Sequence, residues 1–85
     1  MPKSTAVLFK KAQKKLDKLS DNIAEPILDA IGNSEENPRP QGYKKLKARD
    51  GYRIRVGDYR IIYNIFELQL IIDIITLGHR KDVYE

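Results

Sequence analysis

The stretch from Tyr52 to Leu77 constrains this chain more than any other. It holds three β-like runs, YRIRV (52–56), YRIIYNIF (59–66) and QLIIDIITL (69–77), each separated from the next by two residues. Parallel neighbours need a crossover of about a dozen residues or more, so runs this close pair as an antiparallel meander. The first break is Gly57-Asp58. With those two residues at the centre of a hairpin turn, Val56 faces Tyr59, Arg55 faces Arg60, Ile54 faces Ile61, Arg53 faces Ile62 and Tyr52 faces Tyr63. One face of the hairpin then collects Tyr52, Ile54, Val56, Tyr59, Ile61 and Tyr63, and belongs against a core. The other collects Arg53, Arg55 and Arg60.

A second turn at Glu67-Leu68 sets Ile61 against Ile74, Tyr63 against Ile72 and Ile65 against Leu70. Arg60 then lies beside Ile75, and Asp73 faces Ile62 on the arginine side. The tail that follows, LGHRKDVYE (77–85), is placed to return His79, Arg80 and Tyr84 toward that side.

Upstream the period changes. STAVLF (4–9) reads as a first strand. In KKAQKKLDKL (10–19), Ala12, Leu16 and Leu19 recur at helical spacing with lysines on the opposite side, the pattern of a solvated amphipathic helix. SDNIAEPILDAIG (20–32) reads as a second helix with Ser20 or Asp21 as cap, Ile23, Ile27 and Ile31 as buried stripe, and Gly32 as its end; Pro26 distorts or starts it. NSEENPRPQG (33–42) is a long loop. The order is β-α-α-β-β-β, an α+β domain in which a helical hairpin packs on a small antiparallel sheet. Eighty-five residues support one such domain, spanning 1–85.

Composition narrows the chemistry. With no cysteine and one histidine, the chain offers neither a disulfide framework nor a thiolate or histidine-cluster metal centre, and no metal or cofactor is expected. The lack of cysteine fits a reducing cytoplasm, no apolar run is long enough to span a bilayer, and the basic N-terminus is not a signal peptide. The net charge of +4 is uneven: residues 41–60 hold seven basic and two acidic side chains, while 61–85 hold two basic and four acidic. A patch of this kind suits a polyanion or an acidic protein, although a basic surface also serves solubility.

Like charges directly opposite on a sheet are destabilising by some tenths of a kcal/mol. Arg55 across from Arg60 is therefore a small defect unless an anion binds there, or unless a carboxylate such as Asp73 neutralises it.

YKKLKARDGYRIRVGDYRIIYNI followed by IIDIITLGHRKDVYE resembles the RelE-type toxins of the RelE/ParE superfamily, from prokaryotic toxin–antitoxin modules. VLFKKAQKKLDKL resembles their opening strand and helix, so the likeness covers essentially the whole chain. The resemblance implies a ribosome-dependent endoribonuclease that cuts mRNA in the decoding site, an mRNA interferase silenced by a cognate, typically acidic antitoxin. It carries catalytic roles onto Arg53, Arg55, Arg60, Arg80 and Tyr84. It also relates Lys44, Lys45, Lys47 and Arg49, loosely, to basic residues that touch ribosomal RNA.

Without a metal, cleavage would use the RNA's own 2′-hydroxyl, leaving a 2′,3′-cyclic phosphate and a 5′-hydroxyl. That step needs a base, an acid and cations around the phosphorane. Guanidinium forks suit the last task. Arginine keeps its proton to about pH 12, so Arg53 and Arg55 are poor bases where some family members carry lysine. His79, as an imidazole, is the alternative base, against the simpler role of a surface residue in the tail. Tyr84 would stack on a base or exchange a proton, or else anchor the C-terminus by packing. Two rival readings remain: a ParE-like gyrase-inhibiting toxin, and a non-catalytic RNA- or protein-binding module of the same fold.

Overall fold

The computed structural model describes residues 3–47 and 49–81. Its elements are β1 (Thr5–Leu8), α1 (Lys10–Asp17), α2 (Asp21–Glu36), β2 (Lys44–Lys45), β3 (Tyr52–Val56), β4 (Tyr59–Phe66) and β5 (Ile71–His79). They build one five-stranded sheet in the order β1-β5-β4-β3-β2. The meander β3-β4-β5 is antiparallel as its short turns require, and β1 joins the far side of β5 in parallel, making the sheet mixed. Such a parallel neighbour is possible because the two helices lie between β1 and its partner in the chain.

Both helices cover one face of the sheet. α1 packs on β5 and β1, and α2 reaches β1, β3 and β5. Ala12, Leu16, Ile27 and Ile31 meet Ile61, Tyr63, Ile72, Ile74 and Leu77 there in a core with almost no solvent exposure. The period-2 and helical patterns converge on this layer. Lysines 10, 11, 14 and 18 stay on the outside of α1.

α2 corrects the expectation that Gly32 ends it, because it continues through Glu36. A Cβ at Gly32 would meet no atom within 4 Å, so this glycine is an ordinary helical residue. The added turn is anchored to the sheet: the Glu35 carboxylate accepts the N–H of Ala6 at 2.7 Å and its carbonyl accepts that of Ser4 at 2.9 Å. These bonds occupy the amide of Ala6 in edge strand β1 and that of Ser4 just before it, and covering a sheet edge in this way blunts it. Pro26 sits within the helix, where it lacks the N–H that would bond back to Asn22. Ser20 holds the N-cap position without a side-chain bond to the helix.

The opposite face of the sheet carries a small cluster of its own. Leu46 and Ile62 are buried there and Ile75 packs against them. The turn between β2 and β3 closes through Leu46 N–H to the Gly51 carbonyl at 3.0 Å. Gly51 is required: its φ is +129°, and an added Cβ would come within 3.1 Å of the Tyr63 carbonyl and 3.2 Å of Leu46.

The β3–β4 pairing is the one read from the alternation, rung for rung, with Gly57 at φ +60°. A glycine at the first central position is what a type II′ hairpin needs. The β4–β5 pairing differs from expectation. Its turn spans residues 67–70, closed by Leu70 N–H to the Glu67 carbonyl at 3.2 Å, with Leu70 itself at φ +54°. Two extra loop residues slide β5, so Ile65 faces Ile72 and Tyr63 faces Ile74. A slip of two preserves the face of every side chain, which is why the core still forms. Beyond Tyr63 the register shifts again, leaving Ile75 without a partner residue: Ile62 faces Thr76, Ile61 faces Leu77, Arg60 faces Gly78 and Tyr59 faces His79. Among the described residues no helix is long and apolar enough to cross a membrane.

Candidate functional site

The arginine side of the sheet is built in rows. Lys44 on β2 stands across from Arg53 on β3, which stands across from Ile62 on β4. The next row is Arg55, Arg60 and Gly78. Residues directly opposite place their Cβ atoms about 5 Å apart, and rows two residues apart along a strand are about 7 Å apart. Lys44, Arg53, Arg55 and Arg60 thus fall within a patch of nucleotide size. The Nε atoms of Arg53 and Arg60 are buried, so these side chains lie down on the sheet, whereas Arg55 is exposed.

The irregularity at Ile75 decides what else reaches this patch. Unbroken pairing from Tyr63–Ile74 would set Leu77 against Arg60 and turn it away from the core. The extra residue absorbs one step, which keeps Leu77 in the core and brings glycine opposite Arg60. It also decides between the two residues that follow. His79 falls on the helix side, edge-on to Tyr59 with 5.7 Å between ring centroids. A cleft there is lined by Lys15, Lys18, Leu19, Tyr59, Leu77 and His79. Arg80 comes next and donates its N–H to the Asp58 carbonyl at 2.8 Å, beside the turn that joins Arg55's strand to Arg60's.

His79 is therefore not brought to the arginine face, contrary to the expectation that the tail returns it there. Asp73 is also displaced. It faces Asn64, four residues along β4 from Arg60 and roughly 13 Å away by strand rise, so it does not neutralise the Arg55–Arg60 pair. Tyr84 lies outside the described residues. Of the upstream cations, Lys44 shares a row with Arg53. Lys45 pairs with Tyr52 on the other side of the sheet, and Lys47 and Arg49 are exposed in the connection closed by Leu46 and Gly51.

A second polar array lies on the helix side. Arg39 pairs with Glu67 and sits over the Tyr52 ring at 5.4 Å from its centroid. Tyr43, Tyr52 and Tyr63 follow each other at 5.9 Å, and the Tyr63 hydroxyl donates to the Pro38 carbonyl at 2.8 Å. Burial pushes the Tyr63 phenol up to about 12, so it stays neutral. This array fastens the loop before β2 to the sheet.

A sheet with this strand order, two helices on one face and rows of arginine on the other can be compared with known proteins. The family model for the ParE toxin of the type II toxin–antitoxin system parDE matches residues 7–84. The chain is a type II toxin of the RelE/ParE superfamily. Among solved structures, the toxin is 28% identical to RelE in the RelE–RelB complex of Pyrococcus horikoshii, with TM-score 0.82 and coverage of 98% of this chain and 100% of that one. The RelB–RelE antitoxin–toxin complex of Methanococcus jannaschii matches at 28% identity, TM-score 0.71, and 92% and 94% coverage. The RelBE toxin–antitoxin complex of E. coli matches at 23% identity, TM-score 0.78, and 89% and 95% coverage, which supports the toxin's fold. A search of curated proteins finds no match.

Two features of the arginine face were not read from the sequence, although Lys44 was already named there as a candidate RNA contact. Lys44 belongs to the arginine rows, and Leu46 packs on the same face beside Ile62. The alternation in YKKLK (43–47) carried that signal, but β2 is only two residues long and was hidden among loop residues.

Proposed function

We propose that this toxin is a ribosome-dependent endoribonuclease that cleaves mRNA by attack of the RNA's own 2′-hydroxyl, and that a cognate antitoxin restrains it. The observation that carries the reading is the Arg55–Arg60 rung facing Gly78, with Arg53 in the next row and Arg80 docked at the adjoining turn. Arginines on two adjacent strands, with a further arginine beside the turn that joins them, suit a phosphate whose charge grows in the transition state. Arg55, Arg60 and Arg80 would stabilise the phosphorane, and Arg53 and Lys44 would hold the flanking backbone. Tyr84 would stack on a base or exchange a proton. Lys47 and Arg49, both exposed, would meet ribosomal RNA, with Lys45 at the edge of that surface. The 28%-identical relatives are RelE chains in complexes with RelB, which supports an antitoxin partner here.

The family match to a ParE toxin favours a second reading, inhibition of gyrase by the same fold. One comparison separates the two. Purified toxin is incubated with programmed ribosomes and, in parallel, with gyrase and relaxed plasmid. Cleavage of the bound mRNA without loss of supercoiling supports the nuclease. Intact mRNA with blocked supercoiling replaces it.

A further inference from the structure

His79 is held from two directions. Tyr59 meets its ring edge-on across the sheet, and its Nδ1 accepts the backbone N–H of Lys81 at 3.2 Å. Between these anchors Arg80 donates its own N–H to the Asp58 carbonyl at 2.8 Å. A side-chain acceptor on one residue that takes the N–H two residues later makes the bend that Asp and Asn form in Asx turns. Here an imidazole supplies that acceptor, and Arg80 is the residue at the corner of the bend.

We propose that His79 is a positioning residue for Arg80. Its Nδ1 holds the turn that presents the Arg80 guanidinium to phosphate beside Arg55 and Arg60. The proposal rests on reading the arginine face as a phosphate site. It gives a role to a histidine that lies on the helix side of the sheet and immediately precedes an arginine docked by its backbone at the β3–β4 turn. The ring acts through the chain, with Tyr59 fixing its plane and the Lys81 amide fixing its nitrogen. Two other roles make different demands. A general base needs a titrating nitrogen at the 2′-oxygen, and a packing residue needs only the ring edge against Tyr59.

Three variants separate these roles: His79→Asn keeps an acceptor at the right spacing without an imidazole, His79→Phe keeps the ring without the acceptor, and His79→Ala removes both. The readouts are the single-turnover rate on ribosome-bound mRNA and the temperature coefficient of the Lys81 amide proton by NMR. His79→Asn is expected to stay within about threefold of the parent and to keep the Lys81 amide hydrogen-bonded. His79→Phe and His79→Ala should fall about tenfold, the rate equivalent of one net hydrogen bond, with the Lys81 amide released. Full activity in His79→Phe would overturn the proposal in favour of packing. Loss in His79→Asn as deep as in His79→Ala, with the amide still bonded, would overturn it in favour of a base. If the parent leaves mRNA intact, the nuclease reading fails on its own. The Lys81 amide then decides: release in His79→Phe but not in His79→Asn supports the positioning role, and an amide unchanged in His79→Phe overturns it.

Discussion

Arg55 and Arg60 occupy one rung of the β3–β4 hairpin, where like charges repel by some tenths of a kcal/mol. Because Arg55 is exposed and covers no core, Arg55→Ala should leave thermal stability equal or slightly higher. A drop of several degrees in the melting temperature would show that the side chain supports the fold instead. Tyr63 makes an opposite kind of prediction. Its folded pKa of about 12 lies above the ordinary value of 10.0, so the native state holds the proton more tightly than the unfolded chain. That contribution is fully present below pH 10 and is lost as pH rises toward 12, at about 1.4 kcal/mol per unit of difference. Tyr63→Phe should flatten the fall in stability over that range, measured by urea titration at a series of pH values. The facing of Arg53, Arg55 and Arg60 was legible because a two-residue turn fixes parity outright. His79 was not, because its face depends on one unpaired residue, Ile75, that no alternation pattern announces.

At the scale of elements, the strands and helices were readable wherever one face is buried. The misreadings fall where local chemistry allowed two answers. Glu67-Leu68 and residues 67–70 both make acceptable turns, and the chain takes the longer one with a leucine at positive φ. Gly32 looked like a helix stop, yet the contacts of Glu35 with β1 draw α2 one turn further. Removing that clasp with Glu35→Ala leaves the Ala6 amide without its carboxylate and should cost about 1 kcal/mol in chemical denaturation. Gly51→Ala should cost more, about 2 kcal/mol or above, since φ +129° and the 3.1 Å approach to the Tyr63 carbonyl both oppose a Cβ. A Gly51→Ala protein as stable as the parent would contradict the close packing of the β2–β3 turn on the sheet.

Across the whole molecule the sheet divides two tasks. Its helix side holds the main core, and its other side holds Lys44, Arg53, Arg55 and Arg60, with Leu46, Ile62 and Ile75 packed beside these rows. Four of the seven basic residues of 41–60, Lys44, Arg53, Arg55 and Arg60, are thereby gathered on one face. The most direct test is the single-turnover rate of mRNA cleavage on programmed ribosomes for the parent and Arg55→Ala, each checked for an unchanged melting temperature. The arginine face as a phosphate site predicts a loss of about 100-fold or more, in the range for removing a group that stabilises developing charge. An unchanged rate in a fully folded Arg55→Ala protein would contradict it.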